Sequence, residues 1–328
     1  MIKTIGITGT TGLLASSIIP LLEKKGYRIK ALLHTQELSH HPDNMETVKG
    51  SLSDIPSLDR LVKGCDVVIH CAARISINSN KDAYVYDTNL KGTINIFNAS
   101  QKAGVKRFLY ISSIHAYDQS PLDEPLDETH VHCTDNSYQY DRSKRDAEKY
   151  VLQNGTGSLE VVVLNPTAIV GPGDHKPSLI GSGILSFYHR KVPSLIRGGF
   201  DFCDVRDVAE GIVHAIEKGR NGHSYLLSGK WYSLAEFYMM IMNVKGDTRK
   251  LPVLPIWAAY LGLPFTHLYA SVKKNEPLYT RESLHTLKYG NKKISCAKAV
   301  RELDYQCRPL KETISDTLSW FKKEGYLE

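Results

Sequence analysis

Ile5-Gly6-Ile7-Thr8-Gly9-Thr10-Thr11-Gly12-Leu13-Leu14-Ala15-Ser16 is the stretch on which the reading of this chain turns. Ile2, Ile5 and Ile7 alternate with Lys3, Gly6 and Thr8 as in a short strand. An apolar helical run follows through Leu22. Between the two, Thr8 to Ala15 forms a strand–turn–helix junction. Gly9 permits a tight turn, Gly12 lets the backbone approach an anion with no Cβ in the way, and Ala15 lets the helix pack on its strand. The free N–H groups and the dipole of that helix then face a pyrophosphate. The same glycines would also suit a β–α turn that binds nothing. Their place after a strand and before a helix favours the phosphate.

Length and composition narrow the class. The chain has 328 residues, is 42% hydrophobic and carries a formal net charge of +6. It can bury a full core as two domains, or as one large domain with an appendage. The charge is too mild, and the basic residues too dispersed, for a nucleic-acid partner. Cys65, Cys71, Cys133, Cys203, Cys296 and Cys307 are scattered, with no C-x-x-C pair and no Cys/His spacing suited to zinc, so no metal is expected. Met1 runs straight into the first strand and leaves no room for a signal peptide. A cytoplasmic protein with reduced thiols is the expectation.

Further along, Tyr27 to Leu33 reads as a second strand. An Asp or Glu just beyond it would bind the ribose 2′-hydroxyl of NAD and repel a 2′-phosphate. His34, Thr35 and Gln36 stand there instead, with Lys30 nearby and no carboxylate before Glu37. That setting favours NADP, unless His34 is a solvated loop residue. Val48 to Leu52 reads as a third strand, and Asp54 and Ser57 open a short helix through Val62. Asp66 to His70 is an apolar strand that runs into Cys71-Ala72-Ala73, small residues across which a cofactor can lie. Asn89-Leu90-Lys91-Gly92-Thr93 opens the next amphipathic helix, and Val105 to Ser112 is another strand. The alternation of strands and helices predicts a parallel sheet covered on both faces. Tyr117 to Asn136 is a long loop of the kind that serves as a lid or binding loop. A helix from Ser137 to Gln153 and a strand from Val161 to Leu164, ending in Asn165-Pro166, follow. Asp201 to Asp207 leads a helix through Ile216, and Tyr225 to Ser228 is a late strand.

Tyr140-Asp141-Arg142-Ser143-Lys144 carries the chemistry. Residues four apart share a helix face, so the Lys144 ammonium can lie near the Tyr140 hydroxyl and reach a nicotinamide ribose. A nearby cation lowers the tyrosine pKa towards working pH. Ser113, just past its strand, can bind the substrate oxygen and the Tyr140 hydroxyl. Tyr140 then exchanges a proton with a carbonyl or hydroxyl as the nicotinamide exchanges a hydride. The spacing alone is weak, since Tyr269 and Lys273 share it. Ser113 upstream and the glycine turn set Tyr140 and Lys144 apart.

These motifs resemble those of the extended short-chain dehydrogenase/reductases, a superfamily that holds nucleotide-sugar epimerases, dihydroflavonol reductases and 3β-hydroxysteroid dehydrogenases. The resemblance covers nearly the whole chain. It rests on Thr8-Gly9-x-x-Gly12-x-x-Ala15, His70-Cys71-Ala72-Ala73, Asn89-x-x-Gly92-Thr93, Ser112-Ser113, Tyr140-x-x-x-Lys144, Asn165-Pro166 and Asp204 to Ala209, with the C-terminal run from Ile294 to Trp320. It implies an α/β fold: a Rossmann-type doubly wound parallel sheet with a smaller, mostly helical C-terminal substrate lobe. Ser113, Tyr140 and Lys144 become the catalytic triad, with Asn89 as a structural fourth member and Ser112 the less favoured serine. The cofactor contacts it implies are Gly9, Thr10, Thr11, Gly12, Leu13, His34, Leu52, Cys71, Ala72, Ala73, Asn89, Tyr140, Lys144, Asn165 and Pro166. Ser51 stands where many members have an acidic residue near the adenine. Ile114 and His115 stand where sugar dehydratases have an acidic pair, which argues against dehydration. A homodimer through helices such as Asn89–Gln101 and Ser137–Gln153 is also implied.

The expected organisation is a dinucleotide-binding domain of residues 1–170 plus 200–230 and a substrate lobe of 171–199 plus 231–328. Ser113, His115 and His175 are candidate substrate contacts, although the Asp174-to-Pro177 stretch also fits a solvated loop. Leu251 to Val272 lacks Asp, Glu, Lys and Arg and carries Trp257, Tyr260, Phe265 and Tyr269. Pro252, Pro255 and Pro264 break it, so a packed helix pair is expected ahead of a hydrophobic substrate lid or membrane-surface contact, with no stable membrane insertion. The leading reading is an NADP-dependent reductase or dehydrogenase of a hydrophobic ketone or secondary alcohol. The alternatives are an NAD-dependent nucleotide-sugar epimerase, with Arg190, Arg197 and Arg281 for a diphosphate, and a non-catalytic protein that senses cofactor.

Overall fold

Ile5, Ile7, Val67, Val68, Ile69 and Leu109 are all fully buried, on consecutive as well as alternate positions. Strands apolar on both faces belong to a parallel sheet covered on both sides. The computed structural model, which describes residues 2–34, 41–75, 83–273 and 279–328, has that sheet. Its first half runs β1 (Thr4–Thr8), α1 (Leu13–Lys24), β2 (Arg28–Leu33), β3 (Met45–Lys49), α2 (Ile55–Val62) and β4 (Val67–His70). Then come α3 (Ala83–Lys102), β5 (Arg107–Ile111), a 3-10 turn (Ile114–Ala116), α4 (Gln139–Asn154), β6 (Glu160–Pro166), β7 (Ala168–Val170) and α5 (Leu179–Tyr188). β8 (Leu195–Ile196), β9 (Gly199–Asp204), α6 (Val205–Lys218), β10 (His223–Leu227), β11 (Lys230–Ser233) and α7 (Leu234–Lys245) follow. The chain ends with β12 (Val253–Leu254), α8 (Ile256–Lys273), α9 (Arg281–Tyr289), α10 (Ala297–Leu303) and α11 (Leu310–Lys323).

Seven strands pair in the order β3-β2-β1-β4-β5-β6-β10, all parallel. This is the doubly wound sheet expected from the sequence. The strand order reverses between β1 and β4, so the glycine turn after β1 opens at the crevice where ligands of such sheets bind. One face is sealed by α1, α6 and α10 around Ile18, Leu22, Ile212 and Leu303. The other is sealed by α2, α3 and α4 around Leu61, Phe97, Phe108 and Val151. A third core gathers Ile184, Phe202, Phe237, Ile241, Leu318 and Phe321 beneath a small sheet ordered β11-β9-β7. Phe202 thus packs in the third core, while Ala299, Leu303 and Tyr305 pack in the first.

Several elements differ from the sequence-based expectation. Asn89 does not open a helix. α3 already runs from Ala83, so Asn89 lies inside it, where its side chain turns inward. β3 ends at Lys49, ahead of the expected Val48–Leu52 strand's end, because Asp54 caps α2 and the residues between serve the turn. The expected helix pair in Leu251–Val272 is the single helix α8, which continues past Pro264. Trp257 and Leu261 on it are 65% and 67% exposed. Among the described residues no helix is long and apolar enough to cross a membrane. The Tyr117–Asn136 loop is fastened down: Asn291 Nδ2 donates to the carbonyls of Gln119, Pro121 and Glu124, Leu226 N donates to Glu128 Oε1, and Leu126 is fully buried.

Candidate active site

The C-terminal ends of β1, β4, β5 and β6 meet at one edge of the sheet. At the first, Gly9 holds φ +74°, and a Cβ there would lie 2.6 Å from Ala72 N. The backbone of the β1 turn and that of Cys71-Ala72 therefore touch only because Gly9 has no side chain. Thr10 Oγ1 donates to Leu32 O at 2.8 Å and ties the turn to β2. Gly12 is the N-cap of α1 and supplies no capping side chain, and no acidic residue occupies the first turn. The first N–H groups of α1 are left for an anion. Thr11 and Gly12 are exposed at this mouth and Leu13 is half-buried.

His70 locks the second strand end. Thr93 Oγ1 donates to Asn89 O at 2.7 Å, so His70 Nε2 must donate to Thr93 Oγ1 across 3.0 Å. His70 Nδ1 then accepts from Thr8 Oγ1 at 2.7 Å, and Thr8 Oγ1 in turn accepts from Ala72 N at 3.3 Å. Burial brings the His70 pKa down to about 3, with Lys144 adding to the effect, so the ring is neutral. Asn89 fastens the same stretch from the other side. Its carboxamide pairs with the backbone of Arg74 at 2.8 and 3.0 Å, and its Nδ2 reaches Ser143 Oγ at 3.0 Å. Asn89 links α3, α4 and the Cys71–Arg74 segment.

Ser113 lies beside Tyr140, with Lys144 one turn further along α4. Ser113 Oγ accepts from His115 N at 3.2 Å and favours the charged form of Tyr140. Ser112 points elsewhere, its hydroxyl buried with no partner among the described residues. Lys144 is buried on α4, one turn after Tyr140, and donates to Ile111 O at 2.8 Å. The expected lowering of the tyrosine pKa is not what this structure has. Burial lifts Tyr140 to about 12, Asp141 and Glu282 add to the rise, and Ser113 only partly offsets it. The Lys144 ammonium is engaged with the Ile111 carbonyl, over the Tyr110 ring at 5.2 Å. Burial brings Lys144 itself down to about 8.

Two neighbours escaped the sequence reading or were underused in it. Glu148 stands one turn beyond Lys144 and is fully buried. Its carboxylate accepts from Asn165 Nδ2 at 2.7 Å and from Ser224 Oγ at 3.1 Å. Asn165 Nδ2 also donates to Ser113 O at 3.3 Å, so Glu148 braces β6 against the serine. The i, i+4, i+8 spacing of Tyr140, Lys144 and Glu148 was the available signal. His115 meets Tyr140 edge-on at 5.7 Å and bonds Asp141 through Nδ1 at 3.0 Å. Burial would lower its pKa, but Asp141 outweighs that, with a further push from Glu282, and the pKa is raised.

The remaining candidates fall into place unevenly. Cys71 is half-buried beside the glycine turn, Pro166 is buried at the end of β6, and the Asn165 Oδ1 is buried with no partner among the described residues. A bare glycine cradle, an uncapped helix start and that unpaired oxygen fit a dinucleotide laid across the strand ends. Leu52 packs on the bare face of Gly92, and its carbonyl accepts from Asn95 Nδ2 at 2.8 Å. His34 is exposed at the end of β2, whereas Thr35, Gln36 and Glu37 lie outside the described residues. Lys30 adds nothing to that corner. Its side chain donates to the carbonyls of Arg60 and Lys63 at 2.9 and 3.2 Å. His175 is not drawn to the triad. It meets Trp320 edge-on at 5.0 Å and Glu324 at 3.7 Å, both of the C-terminal helix region. Asp174 is no solvated loop residue: it is buried and accepts from Ser178 N and Oγ at the start of α5.

Comparison with known proteins agrees with this geometry. Residues 5–228 match the model of the NAD dependent epimerase/dehydratase family. The chain is 29% identical to a Synechocystis sp. protein named "Putative dihydroflavonol 4-reductase", over 98% of this chain and 95% of that one. It is 27% identical to "Sterol demethylase protein B" of Methylococcus capsulatus, over 98% and 99%. The crystal structure of gox2253 superimposes with a TM-score of 0.85 at 30% identity, covering 100% of both chains. The chain belongs to the NAD dependent epimerase/dehydratase family and so to the extended short-chain dehydrogenase/reductases.

Proposed function

From that membership we propose an NADP-dependent reductase or dehydrogenase that interconverts a hydrophobic ketone and its secondary alcohol. The observation that carries it is Lys144, one turn after Tyr140, fastened to Ile111 O near Ser113 at the sheet edge that holds the bare glycine turn. When bound, the nicotinamide supplies or accepts the hydride. Gly9, Thr10, Thr11, Gly12 and Leu13 would hold the pyrophosphate, and Cys71, Ala72, Ala73, Asn165 and Pro166 the nicotinamide end. Ser113 Oγ takes a hydrogen bond from His115 N and is placed to meet the substrate oxygen. Tyr140, with a pKa of about 12, keeps its proton at neutral pH and is set to give it to a carbonyl oxygen. Burial brings Lys144, one turn further along α4, down to about 8.

The exposed His34 and the missing carboxylate beside it support NADP. Exposed Trp257 and Leu261 support a hydrophobic substrate near residues 171–199 and 231–328. The six free thiols and the packed pair α3 and α4 support a cytoplasmic homodimer. The nucleotide-sugar epimerase reading loses one of its bases, because Arg190 is committed to Asp247 at 2.9 Å through Nε. An intact Ser113–Tyr140–Lys144 set speaks against a non-catalytic sensor.

Thermal stability with each nicotinamide cofactor tests the cofactor. A ligand that binds only the native state raises the midpoint with the logarithm of its excess over Kd. NADPH should shift the midpoint more than NADH, and His34→Asp should reverse the order. Equal shifts in both proteins would remove NADP from the account.

A further inference from the structure

Cys296 and Cys307 are eleven residues apart in sequence, with no motif around them, yet their sulfurs lie 3.9 Å apart. Cys296 is the N-cap of α10, and Cys307 is exposed on the link between α10 and α11. The backbone on both sides is pinned. Lys298 Nζ donates to Ser224 O at 2.7 Å, and Arg308 reaches Asp207 through N and Nε at 2.8 and 2.7 Å. Ala299 and Leu303 are buried in the first core. The two sulfurs are therefore held as neighbours by structure that does not depend on them. A disulfide needs sulfurs at about 2.0 Å, so closure asks for an approach of about 2 Å between two sulfurs that are already neighbours.

We propose that Cys296 and Cys307 form a redox-modification site that a hydroperoxide closes to an intramolecular disulfide. The Cys296 thiolate attacks a peroxide oxygen. The O–O bond breaks, a sulfenic acid forms and hydroxide, or an alkoxide, leaves. The Cys307 thiol then gives up its proton and attacks that sulfur, the S–S bond forms and a second hydroxide leaves. The two sulfurs lose two electrons to the peroxide, and with the two thiol protons the products are a disulfide and two waters, or one water and an alcohol.

The other four cysteines are poor competitors. Burial pushes Cys65 and Cys133 up to about 11 and Cys71 to about 12, and it raises Cys203 further. At Cys296 the neighbouring Cys307 sulfur favours the thiolate and brings the pKa down to about 6. Closure also has a local consequence. Cys307 Sγ donates to Ser228 O at 2.9 Å, just past β10, and the bridge removes that donor. β10 ends beside β6, with Leu227 opposite Pro166, so the modification borders the proposed nicotinamide end.

The experiment reads thiols and mass, and so stands apart from any assay of turnover. The folded protein is treated with hydrogen peroxide, blocked with N-ethylmaleimide and digested without reductant. The expected product is one Cys296–Cys307 linked peptide, two hydrogens lighter than its reduced form. The thiol count falls from the six free cysteines to four and returns with dithiothreitol. Cys307→Ser should leave a sulfenic acid on Cys296 that dimedone traps, while Cys65→Ser should leave the bridge unchanged. Six surviving thiols, a bridge to any other cysteine, or sulfinic acid on Cys307 without a bridge would overturn the proposal.

Discussion

At His70 two hydroxyls, one on each ring nitrogen, satisfy the neutral ring, and burial disfavours a second proton. Its pKa of about 3 in the fold compares with 6.5 for the free side chain. Below pH 6.5 the unfolded chain takes up that proton and the folded chain does not, until about pH 3. The stability His70 contributes is therefore whole above that window and is lost as pH falls through it. At about 1.4 kcal/mol per pKa unit the loss is on the order of 5 kcal/mol. Urea midpoints measured from pH 7 down to pH 4 should fall steeply in the native protein and less in His70→Gln. Parallel curves would mean that His70 is not held neutral. Residues of this kind were only half readable from the sequence. His70 could be seen to end an apolar strand, but its two hydroxyl partners come from β1 and α3. Lys30 shows the converse: near His34 in sequence, it is spent on the carbonyls at the end of α2. Tyr140 and Lys144 were readable as a pair, since helical spacing is local. The carbonyl that holds Lys144 belongs to β5 and was not.

Elements carry the argument where a turn or strap is built from several residues at once. The β1–α1 junction was readable throughout, because strand pattern, glycines and helix lie next to one another. Gly9→Ala puts a Cβ against Ala72 N at a positive φ. That backbone costs an L-residue roughly 1–2 kcal/mol before any clash. The variant should melt several degrees lower and lose at least about tenfold in cofactor affinity, a penalty of some 1.4 kcal/mol by binding arithmetic. Unchanged affinity would show that the turn does not meet the cofactor. The Tyr117–Asn136 strap was read as a lid or binding loop from its length. Its anchors are Asn291 and Leu226, more than ninety residues further on in sequence, and no local pattern announces them. Asn291→Ala removes a donor to three strap carbonyls and should speed limited proteolysis within the strap severalfold. Cleavage at the native rate would restore the reading of an independently mobile loop.

The whole molecule places its chemistry by topology. One reversal of strand order brings the ends of β1, β4, β5 and β6 to the same edge, so residues from Gly9 to Asn165 share one site although the chain separates them widely. The alternation of strands and helices made this sheet foreseeable. The third core was less so, since its sheet joins β7, β9 and β11 from segments divided by α5 and α6. Nothing in that core names a substrate, which leaves the identity of the ketone to assay. The most direct test of the central claim is oxidation of NADPH by a panel of hydrophobic ketones, native protein against Tyr140→Phe, with the NADPH-induced thermal shift measured on both. The account predicts turnover that drops by about 10²–10⁴-fold in the variant, the range for loss of a general acid, while the thermal shift is retained. Turnover that persists at the native rate in Tyr140→Phe would contradict it.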